Sequence, residues 1–247
     1  MKMQGVLILG ANSAIAEQIA RLMAAKGVGL YLTGRDSGRL EVIAADLRAR
    51  GASQVTIEKL DVTDAPALAG VVERSAGALG TLDAVLFAAG QLPDQAEVNA
   101  DFDLLRHTLE VNALSAMVVL NEAATYFEHQ GHGQLVAIGS VAGDRGRATN
   151  YAYGAAKGAL EIFMSGLRQR LHKSGVQVLL VKPGFVDTPM TADFPKGPLW
   201  ASPQRVAEDI IRAMEKGRSV IYTPWFWRWI MLVIRHIPER LFVRLHF

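Results

Sequence analysis

Tyr153-Gly154-Ala155-Ala156-Lys157 sets a phenol and an ammonium four residues apart. On a helix, positions i and i+4 share one face, so the two groups converge. A cation beside a phenol favours the phenolate and would bring a group with a free pKa of about 10 towards working pH. Ser140 stands thirteen residues before Tyr153, at the end of the apolar run QLVAIGS. A hydroxyl there can hydrogen-bond a substrate oxygen while the tyrosine exchanges its proton. The chemistry implied is proton transfer to a carbonyl oxygen, or from the matching alcohol.

A second group of residues suits phosphate. Gly10 in LGANSAIAEQIA permits a tight turn, and Asn12, Ser13 and Ile15 lead into a helix whose first amides can hold a pyrophosphate. Ala14 and Ala16 stand where a dinucleotide fingerprint has glycine, a departure that adds a methyl at each. The second apolar run ends Thr33-Gly34-Arg35. An acidic residue there would bind a ribose 2′-OH and favour NAD, whereas arginine matches a 2′-phosphate, so NADP(H) is the expected cofactor. Asp36, directly after it, keeps the acidic alternative open. Asp61, followed by Val62, closes a third run and is placed to accept from an adenine amino group.

These residues need a scaffold, and the hydrophobic pattern supplies one. Short runs rich in Val, Ile and Leu fall at 5–9, 28–34, 54–60, 82–88, 134–140, 176–182 and 219–223. Between them lie segments of helical periodicity at 13–26, from the second run to Gly51, and at 64–78, 101–129, 151–173 and 203–216. Strands without polar alternation are covered on both faces, as in a parallel sheet between helices. Right-handed crossovers then give a single α/β domain over 1–222, a Rossmann-type doubly wound parallel sheet of about seven strands, with a tail at 223–247. Ligands bind such sheets beyond the strand carboxyl ends, where the strand order reverses.

Composition narrows the function class. Half of the 247 residues are hydrophobic and 20% are charged, which fits a globular chain with a large core. There is no cysteine, which excludes disulfides, thiolate nucleophiles and Cys-based metal sites and suits a reducing cytoplasm. The six histidines show no metal spacing. From Thr223 onward four arginines face one glutamate, a local +3 within a net charge of +2, so the body of the chain sums to −1 and has no nucleic-acid footprint. The apolar run before Gly10 is five residues long and fits a buried strand better than a signal peptide. No run approaches the roughly 20 apolar residues of a spanning helix.

Taken in order, the Gly10 turn, Asp61, Ala88-Ala89-Gly90, Asn112, Ser140, Tyr153, Lys157 and Pro183-Gly184-Phe185-Val186-Asp187-Thr188 resemble the short-chain dehydrogenase/reductase family over about residues 5–222. The resemblance implies that Tyr153 is the general acid in ketone reduction and that Lys157 holds the nicotinamide ribose and lowers the phenol pKa. Ser140 would orient the carbonyl and Asn112 would support a proton-relay water. Ala89 and Gly90 would lie along the cofactor, and Pro183, Gly184, Val186 and Thr188 would fix the nicotinamide carboxamide. In that family the helix carrying Tyr153 often packs on its counterpart in a homodimer or homotetramer, which would account for the small residues Ala152, Gly154, Ala155, Ala156, Gly158, Ala159 and Gly166. Close packing within the domain is the alternative.

The tail TPWFWRWIMLVIRHIPERLFVRLHF mixes Trp225, Trp227 and Trp229 with arginines around a short apolar run. That composition suits peripheral contact at a membrane headgroup boundary; an oligomer interface or a helix packed on the domain are the alternatives. With the loop Ser140-Val141-Ala142-Gly143-Asp144-Arg145-Gly146-Arg147, the tail resembles the decaprenylphosphoryl-2-keto-pentose reductase branch. That implies a lipid-linked keto sugar as substrate, a flavin-dependent oxidase as partner, and a place in the cytoplasm at the inner face of the membrane. Arg145 or Arg147 would then meet the substrate phosphate. Another lipophilic ketone, or a non-catalytic NADP-binding scaffold or sensor, remain alternative readings.

Overall fold

The structure is a computed structural model and describes residues 3–245. Seven strands, β1 (Gly5–Leu9), β2 (Gly29–Gly34), β3 (Val55–Lys59), β4 (Ala84–Phe87), β5 (Gly133–Ile138), β6 (Val176–Pro183) and β7 (Val220–Thr223), form one sheet in the order β3-β2-β1-β4-β5-β6-β7. Every neighbouring pair is parallel. The expected doubly wound sheet is therefore present, and its order reverses between β1 and β4.

Continuous apolar strands bury both faces, so the sheet carries two cores. One face is covered by α1 (Ala14–Ala24), α2 (Ser37–Ala49) and, from the far end of the chain, α9 (Pro203–Glu215). Ile19, Leu40 and Ile210 lie fully buried there. The other face is covered by α4 (Val71–Leu79), α7 (Ser115–Gln130) and α8 (Tyr151–Arg170), around the fully buried Phe127, Leu160 and Met164.

Two expected helices are broken. The helix at 64–78 divides into α3 (Ala65–Leu68) and α4 because Gly70, at φ 71°, reverses the chain. The long segment at 101–129 begins earlier than its pattern suggests. It comprises α5 (Gln95–Ala100), α6 (Phe102–Leu109), a π-turn over Glu110–Leu114 and α7. Asp94 and Asp101 each accept two backbone N–H bonds and so start α5 and α6 separately.

The tail does not stand apart. α10 (Trp227–His236) buries Trp227 and Met231 against Val141, and Pro238 separates it from α11 (Glu239–Phe242). Arg145 closes the contact. Its guanidinium donates to the carbonyls of Ile234 and Ile237, both at 2.6 Å, pairs with Glu239 at 2.8 Å, and lies 3.7 Å from the centre of the Phe242 ring. The two carbonyls belong to the C-terminal end of α10, where a cation is favoured.

Lys182, a charged residue inside an apolar strand, is 2% exposed. Its ammonium donates to Asp144 at 2.6 Å and to Glu161, while the Tyr222 hydroxyl donates to the other Asp144 oxygen at 3.0 Å. Burial opposes the charge, but the two carboxylates outweigh it and hold the ammonium above the ordinary lysine range. The network ties β6, β7, α8 and the loop after Ser140 into one body. Removing one partner leaves an uncompensated buried charge, so Lys182→Met should cost about 3–5 kcal/mol in urea unfolding, and Lys182→Met with Asp144→Asn should recover much of it. A single variant as stable as the parent would show that the network holds nothing.

Candidate active site

Tyr153 and Lys157 sit on consecutive turns of α8, with the ammonium 5.6 Å from the centre of the phenol ring. Ser140 reaches the Tyr153 hydroxyl with its own, and its Oγ also accepts from the Ala142 amide at 3.1 Å. Lys157 is 4% exposed and donates to the Ile138 carbonyl at 3.0 Å. Burial pushes its pKa down to about 8. Burial also pushes Tyr153 up to about 12, with the Ser140 hydrogen bond pulling the other way. The net shift of the phenol is thus opposite to the lowering expected from Lys157 alone. The ammonium is directed at a backbone carbonyl, and desolvation of the phenolate wins.

Small residues let the serine loop lie directly on α8. A methyl on Gly154 would stand 2.8 Å from the Ala142 carbonyl oxygen, and one on Gly158 would stand 3.1 Å from that of Gly143. This part of the glycine stripe therefore serves packing within the domain. Gly166 alone of those helix glycines faces open space.

Asn112 lies in the π-turn, fully buried. Its amide donates to the carbonyls of Gln91 and Thr108 at 2.9 and 3.0 Å, and its oxygen accepts from the Gln91 amide at 3.1 Å. A methyl on Gly90 would meet that oxygen at 3.0 Å and Lys157 Nζ at 3.5 Å. Asn112 thus anchors the strand end at Ala89-Gly90 beside Lys157. Gln91 was missed in the sequence, where a lone glutamine after glycine gives no signal.

The phosphate side lies where β1 and β4 part. Gly10 takes φ 79°, and a methyl there would meet the Ala89 nitrogen at 2.5 Å. Ser13 precedes α1 without a side-chain cap, which leaves the first amides of the helix, including that of Ile15, available to an anion. Ala16 is fully buried in the core and does not face the turn. Asn12 leans over β2, its amide donating to the Asp36 carbonyl at 3.4 Å.

Arg35 is exposed at the end of β2. The side chain of Asp36 caps α2 by accepting from the Arg39 amide at 3.0 Å, so that carboxylate is occupied as a helix cap. Burial opposes the Asp61 charge, but the Thr63 amide and hydroxyl, with Arg35 and His107 nearby, hold its carboxyl below the usual range. Val62 beside it is buried.

Beyond β6, the Gly184 amide donates to the Thr223 carbonyl at 3.1 Å, and Val186 bridges to Ala201. The Thr188 amide donates to the Thr191 hydroxyl at 3.3 Å, and that hydroxyl donates in turn to the Val186 carbonyl at 2.6 Å. This folds the segment after Pro183 over the strand ends. Phe185 stacks on Trp200 and meets Trp227 edge-on, each ring pair 5.4 Å apart. The indole of Trp227 is laid so close to Gly184 that a methyl there would overlap it. The tail therefore walls the Pro183-Gly184 segment, a role its composition did not reveal.

Five buried side-chain polar atoms lack a partner among the described residues: Thr33 Oγ1, Gln91 Nε2, Arg147 Nε, Asn150 Oδ1 and Trp227 Nε1. Buried polar groups are normally satisfied, so atoms left without a partner are candidates to meet a polar ligand. Arg147 belongs to this set. Arg145 does not, since the tail holds its guanidinium. Among the described residues no group of three or more His, Asp or Glu could hold a metal ion.

Comparison with known proteins identifies the family. The short chain dehydrogenase family model matches residues 4–198. The chain is 35% identical over 234 residues to the uncharacterized oxidoreductase Rv2073c of Mycobacterium tuberculosis, covering 95% of this chain and 94% of that one. It is also 35% identical over 250 residues to the uncharacterized oxidoreductase in the mprA 5′ region of Streptomyces coelicolor, covering 98% and 96%. Among solved structures, a short-chain dehydrogenase from Sphingobium yanoikuyae in complex with NADPH superposes with a TM-score of 0.84 at 24% identity, covering 96% of this chain and 97% of that one. A variant actinorhodin polyketide ketoreductase with NADPH gives 0.80 at 22% identity, covering 89% and 95%. The chain belongs to the short-chain dehydrogenase/reductase family of oxidoreductases.

Proposed function

We propose that the chain is an NADP(H)-dependent carbonyl reductase in which Tyr153 delivers a proton to the substrate oxygen. The observation that carries the reading is the Tyr153 phenol, hydrogen-bonded to Ser140 and one helical turn from the buried Lys157. At neutral pH such a phenol is fully protonated, as a general acid must be. For the cofactor, the open amides of α1, the free Arg35 and the Gly10–Ala89 approach fit a dinucleotide carrying a 2′-phosphate. The two NADPH-bound structural neighbours point the same way. NADPH, when bound, supplies the hydride.

The residues of the chain do the rest. Ser140 and Tyr153 together hold the carbonyl oxygen, and the proton passes from the phenol to that oxygen as it becomes an alcohol. The phenolate left behind is stabilised by the Lys157 ammonium, which Ile138 keeps in place. Asn112 fixes the wall behind it.

A lipophilic carbonyl is the favoured substrate class, because Phe185, Trp200 and Trp227 gather beside the Pro183-Gly184 segment. The narrower reading, a polyprenyl-phosphate-linked 2-keto-pentofuranose with a flavin-dependent oxidase upstream, rests on the loop and tail resemblance. Its phosphate contact falls to Arg147, and the relatives' names specify no substrate. Offering the lipid-linked keto sugar beside neutral long-chain ketones decides it. Turnover of the sugar, with KM raised in Arg147→Ala for that substrate only, supports the narrower reading; turnover of the ketones alone removes it. Association into homo-oligomers remains a proposal, supported by Val118 and Ile162, which are exposed on α7 and α8.

Three outcomes test the core reading. Tyr153→Phe should lower kcat by at least about 10²-fold while leaving the Kd for NADPH unchanged. Arg35→Ala should weaken NADPH binding by about 10- to 100-fold and leave NADH binding unaffected, the value of one charged hydrogen-bonding partner. Equal affinity of the parent for both cofactors would overturn the 2′-phosphate assignment. The third is a pH profile. The Lys157 charge stabilises the phenolate and is lost as pH rises through about 8, so kcat for ketone reduction should be level below that value and fall above it. A rate that instead climbs between pH 7 and 9 would contradict the role given to Lys157.

A further inference from the structure

α10 has two unlike faces. Trp227 and Met231 point into the domain, with Ile230 and Ile234 partly covered beside them. On the opposite side Trp229, Leu232 and Val233 are 56%, 47% and 65% exposed, and Trp225, one turn earlier, is 66% exposed. At 100° per residue Trp229, Leu232 and Val233 fall within one arc, Arg228 and Arg235 lie on its flank, and the Arg228 guanidinium lies 5.7 Å from the centre of the Trp229 ring. Leu241, Val243 and Leu245 extend the exposed apolar surface past Pro238, with Arg240 and Arg244 among them.

A soluble chain rarely leaves so much apolar side chain in one place unless something covers it. The charges select the occupant. From Thr223 on, Glu239 is the only acidic residue, and Arg145 already pairs with it. The surface is therefore apolar and cationic with no free acid. A second copy placed on it by a two-fold axis would set arginine against arginine, whereas anionic headgroups would meet each one. Tryptophan flanked by arginine is also the composition of helices that lie in the headgroup plane. No helix among the described residues is long and apolar enough to cross a membrane, so contact would be at the surface.

We propose that the exposed face of α10, formed by Trp229, Leu232 and Val233 with Arg228 and Arg235 and preceded by the exposed Trp225 in the turn before the helix, docks on an anionic lipid bilayer. Arg145 joins that face to the loop of Ser140, so docking brings the catalytic edge of the sheet to the membrane surface. The proposal is independent of the substrate reading and is tested without turnover.

The purified full chain is mixed with vesicles of phosphatidylcholine alone or blended with phosphatidylglycerol. Sedimentation with the blended vesicles, a blue shift of tryptophan emission, and loss of both in high salt are expected. Arg228→Gln with Arg235→Gln should lower the partition coefficient roughly thirtyfold, at about 1 kcal/mol for each arginine. Trp225→Ala with Trp229→Ala should also release the protein. Both variants should keep the far-UV circular dichroism and unfolding midpoint of the parent, which shows that they fold. A parent that ignores the blended vesicles, or binds neutral ones equally, overturns the proposal. So does a dimer in solution that the tryptophan variant dissociates and that no vesicle retains.

Discussion

Lys157 keeps its ammonium almost wholly out of water with the Ile138 carbonyl as its hydrogen-bond acceptor, and an isolated cation in that position is costly. Its pKa falls to about 8, close enough to neutrality that the group stays charged where the enzyme would work yet gains strongly from any nearby anion. The phenolate of Tyr153 is such an anion, and it forms only when a proton leaves for the substrate. The stabilisation is therefore realised along the reaction rather than in the resting protein, which is where catalysis needs it. The high phenol pKa of the resting site and the low lysine pKa have one cause, the desolvation that burial imposes on each charged form.

That burial is built by packing at close range. Gly154 and Gly158 let the Val141–Gly143 turn rest on α8, and Asn112 draws the Gln91 loop against the opposite side. The Lys182–Asp144–Tyr222 network then fixes the serine loop to the two last strands from below. The tail completes the enclosure. Trp227 lies on Gly184, and Arg145 grips the far end of α10, so the segment after β6 and the segment after β5 are braced by the same helix.

Much of this was legible in the sequence because each signal had a local cause. Uninterrupted Val, Ile and Leu runs could only be doubly covered strands, and all seven appear near their expected bounds. The i, i+4 spacing and the serine at a strand end required no long-range information. What escaped was set by tertiary contact. The lowered phenol pKa failed because spacing locates Lys157 but does not show how strongly burial disfavours the phenolate. Arg145 and Arg147 are alike in a loop sequence, and only folding shows one gripping the tail and the other unpartnered. Asp36 read as a competitor of Arg35 until its side chain proved to be a helix cap. The lysine within VQVLLVK was the one overlooked signal, since a charge in a doubly covered strand must have buried partners.

The account depends on the paired displacement of two side chains, and titrating them directly is the shortest route to it. The protein labelled with 13C at the lysine ε-carbons and tyrosine ζ-carbons would be followed by NMR, with Lys157→Arg and Tyr153→Phe giving the assignments. The account predicts Lys157 titrating at about 8 while Tyr153 stays protonated until about 12. Lys157 titrating at its ordinary 10.5, with Tyr153 ionising at or below its ordinary 10.0, would contradict it.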